Sequence, residues 1–525
     1  MRALLFLLSL TMLVPAQVTY ERILHAYKEP GSWLTYSGNY LGHRYSQLDQ
    51  IHRGNVSRLR VAWVHQSRAT EAFQTSPIVA DGVMYITEPP NIVKALDLKT
   101  GRALWTYQRT IPDDLRLCCG RVNRGVAVLD DKVFYNSIDG HMMALDAATG
   151  RLLWDVEMAD YKLGYSATQA PLAIEGKVIT GIAGGEFGIR AFIDAYEPST
   201  GKRLWRFYTV PTAGEFGVDT WAGDSYKTGA ASIWVTGSYD PESNTLFWGT
   251  GNPGPDWNGD GRKGDNLFSD CVVALDADTG QRKWHFQFTP HDVHDWDSTQ
   301  VPVLIDAPFR GAARKMLITA NRNGFYYVLD RGHGKFLQGK PYVKQTWASG
   351  LDDNGRPMVL PNTTPTEEGN TVWPSLGGGT NWYSPSYSPQ ARLFYVPARE
   401  EGAIYYKGEA EYKPGAFFNG GGQRLIPGEE SYGAIRALDP ETGDRKWEFR
   451  LRRTPTSGLL TTAGGLLFSG TSQGEFLALD AATGKLLWSI RLGGAVSAAP
   501  ISYMHEGKQY ISIAAGTGLF QFALE

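Results

Sequence analysis

The chain is poor in cysteine, with three in 525 residues, and two of these, Cys118 and Cys119, are neighbours. No Cys-x-x-Cys-His occurs, so covalent attachment of a c-type haem is not encoded. An excess of one charge is also lacking. The 51 basic and 54 acidic residues leave a formal net charge of −3, which gives no global electrostatic reason to expect nucleic acid as a partner. Beyond the first residues no apolar run is long enough to cross a bilayer. Linker-like stretches are missing too, so residues 17–525 read as one domain.

The single early apolar run, residues 3–14, follows Arg2 and precedes Pro15-Ala16. It is too short to span a membrane and has the layout of a secretory signal peptide cleaved near Ala16, with an uncleaved anchor as the alternative. Residues 1–16 are therefore expected to be the signal peptide of an exported, periplasmic protein. An oxidising compartment permits a disulfide between Cys118 and Cys119, although neighbours close a strained eight-atom ring. Two separate buried thiols are the other reading of that pair. Cys271, in the strand-like run DCVVALD, is expected as a buried free thiol.

What is abundant points to β structure. Aromatic residues make up 12% of the chain, and 60 glycines supply many tight turns. One phrase recurs. It runs ALDLKTGRALW to Trp105, ALDAATGRLLW to Trp154, AYEPSTGKRLW to Trp205, ALDADTGQRKW to Trp284, ALDPETGDRKW to Trp447 and ALDAATGKLLW to Trp488. VLDRGHGKFLQ, from Val328, is a decayed copy without its Trp, and NVSRLRVAW, ending at Trp63, has the spacing of an opening half-copy. In each unit a strand leads into an acidic residue and a Thr-Gly turn, and the next strand carries a Trp able to pack between sheets. A further strand pair upstream, such as GVMYIT or GGLLFSG, gives four strands per unit.

Eight such units bury their faces only by stacking radially, so the sequence predicts an all-β, eight-bladed β-propeller, with an open solenoid as the alternative. The C-terminal run QYISIAAGTGLFQFAL lacks the Trp turn that the opening segment carries, so the two ends are expected to pair and close the ring. Insertions rich in Gly, Asn, Asp and Pro interrupt the spacing between Trp205 and Trp284 and between Trp284 and Trp447. Binding chemistry concentrates in loops on a rigid scaffold. It is therefore expected between Thr168 and Asn381.

Several stretches stand in one register with this repeat: CCGRVNRG, GGEFGIR, GTGNPGP, TPHDVHDWD, RNGFYYVLDR and GGTNW. Together they make the chain similar to the quinoprotein alcohol dehydrogenases, the methanol and ethanol dehydrogenase family that uses pyrroloquinoline quinone and a metal ion. The resemblance covers nearly the whole mature chain. It implies oxidation of an alcohol to an aldehyde by hydride transfer to the quinone. A soluble cytochrome c or a free quinone is the implied electron acceptor, and a homodimer is compatible with it. A quinone-dependent sugar or polyol dehydrogenase is the neighbouring reading, and a cofactor-free propeller scaffold is the alternative outside enzymes.

The resemblance also implies roles for residues. Glu186, Asn252 and Asp295 match the metal-holding positions, and two carboxylates with an amide are hard oxygen ligands suited to calcium or a similar cation. Asp295 matches the catalytic base that takes the alcohol proton, with Glu186 as the rival base if Asp295 only ligates. Asp297 lies two residues on, and side chains two apart on an extended segment point the same way. It resembles the extra carboxylate of the lanthanide-dependent branch, although some relatives using calcium or magnesium also carry Asp here. Trp234 matches the Trp that stacks on the quinone ring. The Cys118-Cys119 pair matches a vicinal disulfide on the ring's other face. Arg124 and Arg322 would supply charge and forked donors. Gln74, Thr168, Gly184, Gly185 and Asn381 match further contact positions, the two glycines permitting close backbone approach. Gln74 and Ala183 depart from the Glu and Ser of some methanol dehydrogenases.

Three signals are set aside. DWNGDG, from Asp256, resembles the start of a calcium loop but has Leu267 where Glu is needed. His285, His291 and His294 lack zinc-site spacing. Gly377-Gly378-Gly379 reads as a turn, because no P-loop Lys follows.

Overall fold

A computed structural model describes residues 17–69 and 71–525. The expected signal peptide, residues 1–16, lies outside the described residues. Eight antiparallel four-stranded units form the framework. The first runs Ile78–Ala80, Val83–Glu88, Ile92–Asp97 and Ala103–Gln108, each strand paired with the next. Six further units repeat this meander. The last one, Ile501–His505, Lys508–Ala515 and Gly518–Leu524, takes its fourth strand from the other end of the chain. Leu59–Gln66 pairs antiparallel with Gly518–Leu524, from Leu59 opposite Leu524 to Gln66 opposite Gly518. The ring is closed by its two ends, as the repeat predicts, and the Tyr45–Ser46 segment adds a parallel fifth strand to the unit that begins at Leu460–Thr462.

The repeat phrase works as its chemistry suggests. In the first copy Asp97 Oδ1 accepts from the Thr100 amide and hydroxyl, and Gly101 takes the left-handed conformation at φ +69°. The Trp of the preceding unit then lies on that glycine. A Cβ at Gly280 would stand 2.5 Å from Trp205, and one at Gly150 2.5 Å from Trp105. Five of the repeat indoles also donate their N–H to the carbonyl just after the turn's acidic residue: Trp63 to Leu98, Trp105 to Ala147, Trp154 to Pro198, Trp205 to Ala277 and Trp447 to Ala481. At these five junctions turn and Trp join one unit to the next by both packing and a directed hydrogen bond. In the decayed copy Gly334 still receives Trp284, but the unit has no Trp to pass on, and Tyr326 lies against Gly443 in its place.

Short innermost strands such as Ile78–Ala80 and Leu172–Ile174 are fully buried, whereas Trp-bearing outer strands alternate between exposed and half-buried. In an antiparallel meander the segment entering the first strand and the connection between the second and third emerge on one rim. The Thr-Gly turns lie between the third and fourth strands, on the opposite rim. Long insertions before and within the sixth unit, Ser386–Ser388 to Arg445–Leu451, build small sheets of their own: Ala348–Leu351 with Pro357–Val359, and Asn370–Val372 with Ala403–Lys407 and Gly421–Leu425. No described helix is long and apolar enough to cross a membrane.

Candidate active site

That rim logic places the chemistry. Gln74, Arg124, Thr168, Trp234, Asp295, Asp297 and Asn381 all lie on segments entering a first strand, and Cys118-Cys119 precedes Arg124 on the same approach. Ala183 to Glu186, Asn252, Arg322 and Arg399 to Glu401 sit between second and third strands or at their ends. These loops converge on one cavity of about 430 Å3. Its wall includes Gln74, Cys118, Cys119, Arg124, Thr168, Gly184, Glu186, Trp234, Asp295, Asp297, Arg322 and Asn381. Cys118 and Cys119 are joined as a vicinal disulfide at its exposed mouth, with the Cys119 sulfur 3.5 Å from Glu186.

Two of the expected contact residues are not in the wall. Gly185 packs beneath it, where a Cβ would meet Ser232, and Asn252 lies one layer deeper and is buried. The glycine at 184 is explained by its φ of +115° and by the Gly164 backbone against its Cα, rather than by approach to a ligand. The convergence of Asp295 and Asp297 also differs from expectation. The segment is not a strand, and Asp295 adopts φ +59°, a strained conformation for a non-glycine residue, so both carboxylates reach the cavity by a backbone twist.

Hydrogen bonding separates the two aspartates. Asp297 accepts from the Asn252 amide at 2.9 Å, from Trp234 Nε1 at 3.1 Å and from Arg322 Nη1 at 2.6 Å. Gly251 makes room for it, since a Cβ there would stand 2.5 Å from Asp297 Oδ1. Asp295 approaches Arg322 only to 3.9 Å and takes no hydrogen bond among the described residues. Arg124 donates to Thr168 Oγ1 at 2.8 Å and to the Trp234 carbonyl, with its guanidinium over the Trp234 and Trp382 rings. Asn381 accepts from the Trp382 amide and donates to the Gly377 carbonyl.

Electrostatically the site is overloaded with carboxylates. Burial pushes the Glu186 carboxyl up to about 7, with nearby Asp297 adding to the rise. Burial also lifts Asp295 well above the usual range, and Asp297, Asp256 and Glu186 raise it further against the opposing Arg322. Asp297 rises for the same first cause. Burial lowers Arg124 to about 10. Carboxylates crowded in a dry pocket, each raising the others' proton affinity, form a donor set that suits a multivalent cation. The cavity's polar wall also fits a flat, acidic ligand. Gln74 Oε1, Arg124 Nε, Arg322 Nε and Arg399 Nε are buried without protein partners. A ring bearing carboxylates and quinone oxygens offers acceptors for those guanidinium donors.

Reading the sequence missed part of the wall. Arg399 and Glu401, at the end of the strand Leu393–Glu400, and Gln423, on the inserted strand Gly421–Leu425, line the cavity where no repeat phrase or family motif marks them. Asp256, set aside with the calcium-loop pattern, is buried behind the cavity against Asn252. Its carboxylate turns inward to Asn252 Nδ2 at 2.9 Å, whereas Asp260 pairs at the surface with Lys407 and Lys263. The oxygens of that pattern therefore diverge. The three histidines scatter as well. His294 stacks on Trp296, His285 meets Phe268, and His291 meets the Gly264 carbonyl. Cys271 is a buried free thiol.

Comparison with known proteins agrees with the geometry. Residues 33–339 match the family model described as the glucose/ethanol/alcohol dehydrogenase β-propeller domain. The chain is 40% identical to the quinoprotein alcohol dehydrogenase PedH of Pseudomonas putida, over 96% of this chain and 89% of that protein. It is 36% identical to a lanthanide-dependent methanol dehydrogenase of Methylacidiphilum fumariolicum, over 95% and 87% of the two chains. The solved structure of a europium-containing methanol dehydrogenase superposes with a TM-score of 0.92 at 33% identity, covering 96% of this chain and all of that one. With a closed eight-bladed ring and the disulfide, Trp234 and the acidic cluster around one cavity, the chain belongs to the quinoprotein alcohol dehydrogenases, enzymes that oxidise alcohols with pyrroloquinoline quinone and a metal ion.

Proposed function

We propose that the cavity oxidises an alcohol to its aldehyde, with Asp295 as the base and Glu186, Asn252, Asp295 and Asp297 holding the cation. When bound, the quinone supplies the hydride acceptor and the cation supplies Lewis acidity. The chain does the rest. Asp295 takes the hydroxyl proton as hydride leaves the alcohol carbon, because a hydroxyl is too weak an acid to lose that proton alone. Its open hydrogen-bonding capacity, beside an Asp297 already engaged by three donors, supports this division of labour. Trp234 and the Cys118-Cys119 disulfide, both in the cavity wall, would hold the ring between them, and Arg124 and Arg322 would supply donors to its oxygens and carboxylates. Trp382 and Leu117 in the wall limit water at the reacting carbon.

The observation that carries this reading is the meeting of Glu186, Asp295, Asp297, Arg322, Trp234 and the disulfide around one cavity. Protein freed of cofactor, then reconstituted with the quinone and either Ca2+ or La3+, is expected to reduce a dye with ethanol only when both are present. Turnover without the quinone would overturn the assignment. Asp297 supports a lanthanide as the working ion. The pattern at residues 1–16 supports export to the periplasm, where a cytochrome c or a quinone takes the electrons.

A second reading has its own observation. Arg399, Glu401 and Gln423 give the cavity a polar wall that suits a polyol or sugar better than a simple alkanol. Comparing kcat/KM for ethanol, butanol, glycerol and glucose separates the two.

A further inference from the structure

Asp256 is a buried charge that the reading above leaves without a task. It is 1% exposed, and its Oδ1 accepts from Asn252 Nδ2 at 2.9 Å. Its Oδ2 is buried with no hydrogen-bond partner. Arg262, a fully buried guanidinium six residues on, is committed elsewhere. Its Nε and Nη2 donate to the Pro255 carbonyl, its Nη1 donates to Asn266 Oδ1, and its Nη2 also reaches the Asp292 carbonyl. No ion pair within 4.0 Å joins it to Asp256 among the described residues. A buried carboxylate oxygen with no donor is tolerated where a cation compensates it.

The partner of Asp256 gives the direction. A primary amide is planar, with its oxygen and nitrogen on opposite branches. With Nδ2 fixed on Asp256, Asn252 has its Oδ1 turned the other way, and no donor satisfies that oxygen among the described residues. The Asn252 backbone amide is meanwhile bonded to Asp297 at 2.9 Å, so Asn252 is held from both ends by carboxylates. Outer partners of this kind fix a metal ligand's orientation and raise affinity.

We propose that Asp256 is an outer carboxylate of the cation site, which orients Asn252 so that its Oδ1 faces the ion and adds the charge that favours a trivalent over a divalent cation. This rests on the cation reading above. Glu186, Asp295 and Asp297 lie on the other side of Asn252, and a fourth carboxylate behind it attracts a trivalent ion more strongly than a divalent one. Asp256 acts here as a positioning residue.

The test uses quinone-loaded protein stripped of metal by chelation and titrated with Tb3+, La3+ or Ca2+. Terbium emission gives affinity, and europium emission lifetimes in H2O and D2O count bound waters. Asp256→Asn keeps an acceptor for Asn252 Nδ2 but removes the charge. It is expected to lower La3+ affinity by about 10- to 100-fold, to lower Ca2+ affinity less, and to leave the europium water count unchanged. Asp256→Ala also frees Asn252, and is expected to add one water to europium. If Asp256→Asn binds La3+ and Ca2+ as the parent does, the inference falls while the cation site stands, and Asp256 serves only the fold. If Asp256→Ala does not fold, the Asp256→Asn result decides alone. If the parent binds none of the three ions, the cation reading itself fails and this inference goes with it.

Discussion

Arg322 Nη1 stands 2.6 Å from Asp297 Oδ2, and this contact fixes which aspartate of the pair is free to accept a proton. A carboxylate held by a guanidinium, an indole and an amide has its lone pairs directed away from substrate. Asp295, whose nearest cationic atom is 3.9 Å away, keeps its oxygens open to the cavity. Asp295→Asn removes the basic oxygen with little change in volume. Its turnover is expected to fall by about 10^2- to 10^4-fold. Quinone absorbance and metal content should be measured on the same sample, because Asp295 is also assigned to the cation. An Asp295→Asn enzyme near parental kcat, with quinone and metal in place, would leave Glu186 as the base.

Asp297→Ala tests the choice of ion. The substitution strands Arg322 and the Trp234 N–H in a buried wall, at a cost of about 1–3 kcal/mol per lost partner. It also removes one of the oxygens that a larger, more highly charged ion needs. Lanthanum-supported turnover is expected to be lost, with calcium-supported turnover reduced less. A variant that kept its lanthanum activity would show that Asp297 braces Arg322 and Trp234 and does not select the metal.

The sequence carried the ring plainly because the repeat is local. An acidic residue, Thr and Gly close one turn within five residues, and the Trp that docks on the next turn is set by the same phrase. The site was legible only where a motif marked it. Gln423 enters from an insertion whose small sheets follow no repeat, and Arg399 and Glu401 end a strand that no repeat phrase marks, just before part of that insertion. Asp256 was misplaced for a related reason. Its spacing from Asp260 suits a shared ion, but Pro255 and the inward turn separate their side chains, and only its distance of four residues from Asn252 hinted at the amide contact. Asp295 and Asp297 both line the cavity, but not by the route expected. Strand alternation was assumed, and a left-handed residue does the work.

Gly280→Ala probes the contacts that hold the ring. The glycine sits at φ +70° in the turn after Asp276, and an added Cβ would stand 2.5 Å from the Trp205 ring. Trp205 is 8% exposed and also anchored through its N–H to the Ala277 carbonyl, so it has little room to withdraw. Backbone strain and overpacking together are expected to cost about 2–5 kcal/mol. Chemical unfolding of the metal-loaded protein should show an earlier midpoint. Gly176→Ala is the control for strain alone, since its φ is +61° but nothing lies within 4 Å of a Cβ there. Equal losses in the two variants would mean that the Trp contact contributes nothing.

Glu88 predicts how stability depends on pH away from the active site. Its carboxylate is 1% exposed at the end of Val83–Glu88, with His65 Nε2 at 2.7 Å, Lys94 Nζ at 2.9 Å and the Ser67 hydroxyl at 2.8 Å. Burial alone raises its proton affinity, but the His65 and Lys94 hydrogen bonds and the Lys94 charge outweigh it, so the carboxyl ends below its ordinary 4.5. A group whose folded pKa is depressed binds more protons when unfolded. Its contribution is therefore fully present above the ordinary carboxylate range and is lost as the pH falls through the folded value. Glu88→Gln removes that linkage and leaves Lys94 half-buried without its partner. The variant is expected to be less stable than the parent at pH 7, with the gap narrowing as the pH falls below about 4. Denaturation midpoints of both proteins between pH 3 and 8 supply the measurement. Curves that stay parallel across that range would show that Glu88 binds its proton alike in the folded and unfolded chains.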